Sequence, residues 1–175
     1  MKSNLNEFNP ILHGGDNVTV MEKKYYNYKN HKETHKIKPV IIIPARYESS
    51  RLPGKPLKII HGTSMLQRTY ERCIQALPEQ DVYIATDDIK IEKHCKNFDA
   101  NVLMTATSCL TGTDRIAEAS KHIKCDVVIN VQGDEPIINP VDIKEVVNAT
   151  IEHPGEIING MATITTEDEF LNPSI

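Results

Sequence analysis

The chain has 175 residues, 39% of them hydrophobic and 25% charged, with a net charge of −4 and a pI of about 6.0. These values suit one soluble globular domain and argue against nucleic acid or an anionic membrane as the main partner, since both select basic surfaces. No apolar run reaches the roughly 18–20 residues of a membrane-spanning helix, and the N-terminal stretch lacks the apolar core expected of a signal peptide. The four cysteines, Cys73, Cys95, Cys109 and Cys125, form no C-x-x-C pair and have no histidine cluster beside them. They are expected to be reduced thiols of a cytoplasmic protein rather than a zinc site.

Residues 1–38 differ from the rest: the stretch MEKKYYNYKNHKETHKIK (21–38) is rich in lysine, histidine, asparagine and tyrosine and shows no helical or strand period. They are expected to form a polar, mobile extension ahead of a domain spanning 39–175. From Val40 the signals alternate. Val40–Ile43 is a wholly apolar run, the pattern of a strand buried on both faces. Ser64 and Gln67 read as a capping-box start for a helix that buries Leu66, Tyr70, Cys73, Ile74 and Leu77 and stops by Pro78. A strand over 81–86 follows, with Asp88 as a helix cap, then a helix burying Ile91, Cys95 and Phe98. A strand over 101–105 leads to a helix with Thr113 as its expected N-cap. Residues 126–131 read as a central strand. Asn139-Pro140 then opens a helix whose stripe is Ile143, Val146, Val147, Thr150 and Ile151. Residues 160–165 read as one more strand. The βαβαβαβαβ order predicts an α/β fold, a mainly parallel sheet with helices on both faces.

In such sheets ligands sit outside the carboxyl ends of the strands, so the segments after each strand are the candidate site. After the first comes PARYESSRLPGKPL, where Arg46, Arg51 and Lys55 hang on a loop bent by Pro53, Gly54 and Pro56. Arginine and lysine supply charge-assisted bonds to phosphate oxygens, and glycine lets backbone N–H groups approach. The segment matches neither the Walker A pattern nor G-x-G-x-x-G, so a phosphate loop and a solvated loop both fit it. Asp87 is a candidate for ribose or metal. Thr111-Gly112-Thr113 offers hydroxyls and backbone donors at a helix start, either for a ribose, base or sugar or simply for capping. After the central strand, Gln132-Gly133-Asp134-Glu135-Pro136 releases two adjacent carboxylates, which fit a magnesium–phosphate site or a turn. Together these features place cations, a glycine–hydroxyl patch and carboxylates on one sheet edge, the arrangement of a nucleotide enzyme.

The strings PARYESSRLPGKPL, ATDD, TGTDR and NVQGDEP, in this order and spacing, closely resemble the CMP-Kdo synthetases, the 3-deoxy-manno-octulosonate cytidylyltransferases. The resemblance runs from about Val40 to the end. CMP-sialic acid synthetases share the Pro-Ala-Arg and Pro-Gly-Lys elements and match less well. The resemblance implies a Rossmann-like nucleotidyltransferase fold that couples CTP to an acidic 3-deoxy-octulosonic sugar and releases pyrophosphate, for lipopolysaccharide or capsule. It implies that Arg46, Arg51 and Lys55 bind the triphosphate. Backbone near Ala45 and Arg46, with Thr111, Gly112 and Thr113, would read cytosine and ribose. Asp134 would bind Mg2+, and Gln132 would face the sugar. Lys55, Arg46 and Asp134 are thus the expected catalytic residues. The family usually reads Ser-Gly-Thr where this chain has Thr111-Gly112-Thr113. Family members continue beyond the position of Ile175 with further strands, a second metal-binding aspartate, acceptor contacts and most of a dimer interface. The fold is therefore expected to be C-terminally incomplete, and a homodimer is among the expected assemblies. Three functional readings stand: a cytidylyltransferase, a nucleotide-binding remnant without turnover, and a non-catalytic interaction domain using the sheet edge.

Overall fold

The computed structural model describes residues 10–12, 18–23, 36–48 and 52–162. Strands β1 (Pro10–Leu12), β2 (Val18–Lys23) and β3 (Pro39–Pro44) are followed by a short hairpin, β4 (Ile59–Ile60) and β5 (Thr63–Ser64), and helix α1 (Met65–Cys73). Then come β6 (Val82–Thr86), α2 (Ile89–Cys95), β7 (Asn101–Met104), α3 (Gly112–Ser120), β8 (Val127–Asn130), α4 (Pro140–Glu152) and β9 (Ile157–Ala162).

The central sheet has four parallel strands in the order β7-β6-β3-β8. The apolar run that predicts a doubly buried strand is indeed interior: Val40, Ile41, Ile42 and Ile43 are all 0% exposed. Each buried aliphatic side chain of this kind contributes about 1.5–3 kcal/mol. Alternation divides them between two cores. Ile41 and Ile43 join Leu66, Tyr70, Ile91 and Ile143 from α1, α2 and α4, whereas Val40 and Ile42 join Ile116 and Ala119 from α3. Three helices therefore cover one face and α3 the other. The chain winds outward from β3 through β6 to β7, then crosses back through α3 to β8 on the far side of β3. That reversal beside β3 is the topological switch point at which open α/β sheets form their ligand crevice.

Local signals explain most element ends. The Ser64 hydroxyl caps α1 by accepting from the Gln67 amide at 3.1 Å, but the Gln67 side chain bonds Glu71 at 2.9 Å, so the reciprocal half of the box is not made. The helix passes into turns after Cys73, ahead of Pro78. Asp88 caps α2, and Asn139 caps α4 with Pro140 in its first turn. Ile143, Val147 and Thr150 are buried, while Ile151 is 40% exposed. At 100° per residue it lies about 80° around the helix from Ile143, off the core face.

Two readings are corrected here. The N-cap of α3 is Thr111, not Thr113: the Thr111 side chain accepts from the Asp114 amide while Asp114 bonds back to the Thr111 amide, a complete capping box. The last strand spans Ile157–Ala162 and runs antiparallel to β2 in a separate sheet, β1-β2-β9, rather than extending the parallel one. Residues 163–165 lie outside the described residues. Both β1 and β2 fall within 1–38, the stretch expected to be a polar extension.

No helix among the described residues is long and apolar enough to cross a membrane. All four cysteines are free. Burial pushes the Cys73 and Cys95 thiols up to about 12, Cys95 with a further push from Glu92. At pH 8 only about one in ten thousand of these thiols is the reactive thiolate. Iodoacetamide at pH 8 should therefore modify Cys73 and Cys95 only after unfolding, with Cys125, which is partly exposed, reacting first; peptide mass mapping reads the order.

Candidate active site

The loops after β3, β7 and β8 meet at the switch point. Gly133 is buried at its centre. A Cβ there would stand 2.9 Å from the Pro44 carbonyl oxygen, 3.4 Å from Leu66 and 3.5 Å from Ile43. A side chain at 133 would have to displace backbone, which is why glycine follows β8. Its own carbonyl accepts from the buried Thr69 hydroxyl at 3.3 Å, tying the loop to α1. Gly112 closes from the other side: a Cβ there would lie 3.3 Å from the Pro44 ring and 3.4 Å from Gln132 Oε1. The Gln132 amide nitrogen donates to Asn130 Oδ1 at 2.8 Å.

This packing brings distant residues together. Lys55 opens a short 3-10 turn, Lys55–Leu57, and its Nζ lies 2.7 Å from Asp134 Oδ2, across 79 positions of sequence. Both side chains remain open to solvent, at 36% and 50% exposure, so both can turn to a ligand. Ala45 is buried at the end of β3, its amide bonded to the Ala85 carbonyl at 2.9 Å. Arg46, exposed beside it, is close enough to Asp114 to help lower that carboxyl. The sheet edge thus gathers Ala45, Arg46, Lys55, Gly112, Gln132 and Asp134. Arg51 lies outside the described residues. The Thr111 hydroxyl is held in the capping box, accepting from the Asp114 amide at 3.0 Å and donating to Asp114 Oδ2 at 2.8 Å. Thr113 is exposed on the first turn of α3.

Asp87, the candidate for ribose or metal, is engaged within the chain. Its carboxylate pairs with Arg115 Nη2 at 2.9 Å, and Arg115 is wholly buried. The same guanidinium donates through Nη1 to the Thr105 hydroxyl. Arg115 therefore ties the ends of β6 and β7 to the first turns of α3. Glu118, one turn further on, holds the β7–α3 loop: its two oxygens accept from the Ala106 amide and the Cys109 thiol, each at 2.9 Å. Sequence reading misses Arg115, Glu118 and Asp114 as organisers of this loop. The only local clue is the T-x-x-D spacing of Thr111 and Asp114.

The bonds from Thr111 hold the Asp114 carboxyl below the usual carboxylate range, and those from Cys109 and Ala106 do the same for Glu118. Carboxyls lowered in the folded state contribute stability that is present above their unfolded values, about pH 4, and is lost as pH falls through the lowered folded values. An NMR pH titration should show the Ala106 and Thr111 amide shifts moving with midpoints below those of ordinary glutamate and aspartate carboxyls. Midpoints at the ordinary carboxylate value would contradict these bonds.

A parallel sheet carrying cationic, glycine and carboxylate loops around its switch point is the architecture of a nucleotidyltransferase domain. The comparisons make this particular. The chain belongs to the cytidylyltransferase family, whose model matches residues 40–174. It is 44% identical to the 8-amino-3,8-dideoxy-manno-octulosonate cytidylyltransferase of Shewanella piezotolerans, over 75% of this chain and 56% of that protein. It is 42% identical to the 3-deoxy-manno-octulosonate cytidylyltransferase of Protochlamydia amoebophila, over 77% of this chain and 54% of that protein. A solved structure of CMP:2-keto-3-deoxy-manno-octonic acid synthetase complexed with CTP matches with a TM-score of 0.65 and 43% identity, over 67% of this chain and 49% of that one. The chain spans about half the length of the relatives it matches.

Proposed function

We propose that this chain provides the nucleotide-binding half of a cytidylyltransferase that transfers CMP from CTP to an acidic 3-deoxy-octulosonate sugar, releasing pyrophosphate. The observation that carries this reading is the meeting of Lys55 and Asp134, 2.7 Å apart at the switch point, inside the segment that matches the family. The acceptor's anomeric hydroxyl oxygen bonds to the α-phosphorus, the α–β phosphoanhydride bond breaks, pyrophosphate leaves, and the hydroxyl proton passes to solvent. Lys55 and Arg46 offset charge on the phosphates. Backbone at Ala45 and at the Gly112 turn seats the nucleoside, and Gln132 faces the acceptor. Catalysis by such a site is positioning and electrostatic stabilisation.

The donor set also supports Mg2+ arriving with the nucleotide. Among the described residues no group of three or more His, Cys, Asp or Glu could hold an ion by itself. Mg2+ needs no such cage: it keeps several waters and takes one or two carboxylates together with substrate phosphates. Asp134, half exposed beside Glu135, is the carboxylate assigned to it in this reading. Bound there, Mg2+ would neutralise phosphate charge.

Pyrophosphate release by the purified chain with CTP and Mg2+ tests the reading. The two acceptors are 3-deoxy-manno-octulosonate and its 8-amino-8-deoxy analogue, the chemistries named for the relatives. Turnover with either supports the transferase. Mg2+-dependent CTP binding without turnover would favour the nucleotide-binding remnant, and no CTP binding would overturn both.

A further inference from the structure

Lys55 stands one residue past Gly54, and Gly54 is held by Tyr47. The Gly54 amide donates to the Tyr47 carbonyl at 2.8 Å, closing the loop across its neck. Gly54 has a φ of 68°, and a Cβ there would lie 3.3 Å from Tyr47 Cε2 and 3.4 Å from Cζ, so the ring lies directly against this glycine. The ring also packs on the main core, and the Lys90 ammonium, from the first turn of α2, sits 4.1 Å from its centroid. Beyond Gly54 the Leu57 amide bonds the Gly54 carbonyl at 3.0 Å, forming the turn that Lys55 opens.

A lysine has a long, flexible stem, and its ammonium reaches a given spot reproducibly only when its backbone is fixed. Here the fixing elements are a rigid ring, a cation over that ring, and a glycine in the left-handed region, where a side chain would be strained and would crowd the ring. We propose that Tyr47 is a positioning residue for nucleotide binding: its ring, packed on Gly54 and faced by Lys90, sets the approach of Lys55 to the β- and γ-phosphates. This rests on the reading of the site as a CTP site. Tyr47 touches no reacting atom and acts only through Lys55.

The test is equilibrium binding of CTP and of CMP, each with Mg2+, to the full chain and its Tyr47 variants, alone and combined with Lys55→Ala. Tyr47→Phe keeps the ring and should bind CTP within about twofold of the parent. Tyr47→Leu keeps apolar bulk against the core but loses the flat ring, and should weaken CTP about tenfold. CMP lacks the outer phosphates, so its binding should change by less than about twofold. In the Lys55→Ala background Tyr47→Leu should cost almost nothing further. Should Tyr47→Leu fail to fold, Gly54→Ala, which pushes a methyl toward the ring at a positive φ, should give the same CTP-selective loss. Equal losses for CTP and CMP, or a loss that persists without Lys55, would overturn the role of Tyr47 alone. A parent chain that binds no CTP overturns the site reading itself, and the role of Tyr47 with it, before any variant is compared.

Discussion

Lys55→Ala is expected to weaken Mg2+-dependent CTP binding by about 10- to 100-fold, the range for losing one charge-assisted contact to phosphate. Isothermal titration calorimetry reads the change. The fold should be indifferent, because an ion pair as exposed as Lys55 with Asp134 contributes at most about 1 kcal/mol. Thermal unfolding should therefore stay within a few degrees of the parent. Parent-like CTP binding would remove Lys55 from the phosphate site. Asp134→Asn carries the opposite sign for free nucleotide. It releases Lys55 from its carboxylate and removes a negative charge, so CTP without Mg2+ should bind at least as tightly as it does to the parent. The gain on adding Mg2+ should shrink, since the carboxylate proposed as its ligand is gone.

The second large effect is on stability. Arg115→Met should destabilise the chain by about 3 kcal/mol, the lower end of the range for breaking a buried pair by removing one partner. The lower end applies because Asp87 keeps 19% exposure and so regains some hydration. Urea denaturation measures the loss. Adding Asp87→Asn should recover part of it, because the stranded carboxylate is then neutral, and that non-additivity separates the ion pair from simple loss of packing. A double variant no more stable than Arg115→Met would mean that packing of the arginine stem, and not its charge, holds the strand ends.

What the sequence makes legible is what depends on near neighbours. Val40–Ile43 reads as a doubly buried strand because four consecutive apolar residues leave no solvent face, and Asn139-Pro140 reads as a helix start because both residues act locally. The strand-end rule then places Arg46, Lys55, Gly112, Gln132 and Asp134 on one edge before any coordinate is known. Reading fails where two residues compete for one local job or where the partner is far away. Thr111 and Thr113 are equally good cap types, and the choice falls to Asp114, whose side chain returns to Thr111. Asp87 has no visible partner in its own stretch of sequence, because Arg115, which pairs with it, lies 28 positions on in α3. The pairing of β2 with β9 is not legible locally, because it joins segments that the whole central sheet separates in sequence. Tyr47 offers no pattern at all, since its role lies in a contact with a glycine seven residues later.

Pro44 has a consequence for anyone wishing to re-engineer the site. Gly112 and Gly133, on two different loops, both close on this one proline, one against its ring and the other against its carbonyl oxygen. Three segments far apart in sequence therefore share a single point of contact with no slack, as gears share a tooth. A transplanted loop would fit only if it kept the proline or glycine at its own contact, and libraries that vary these three positions independently would consist mostly of mismatched sets. Exchanging them as one cassette, with Pro44 and both glycines kept, preserves the mesh and leaves only the outward-facing positions to diversify.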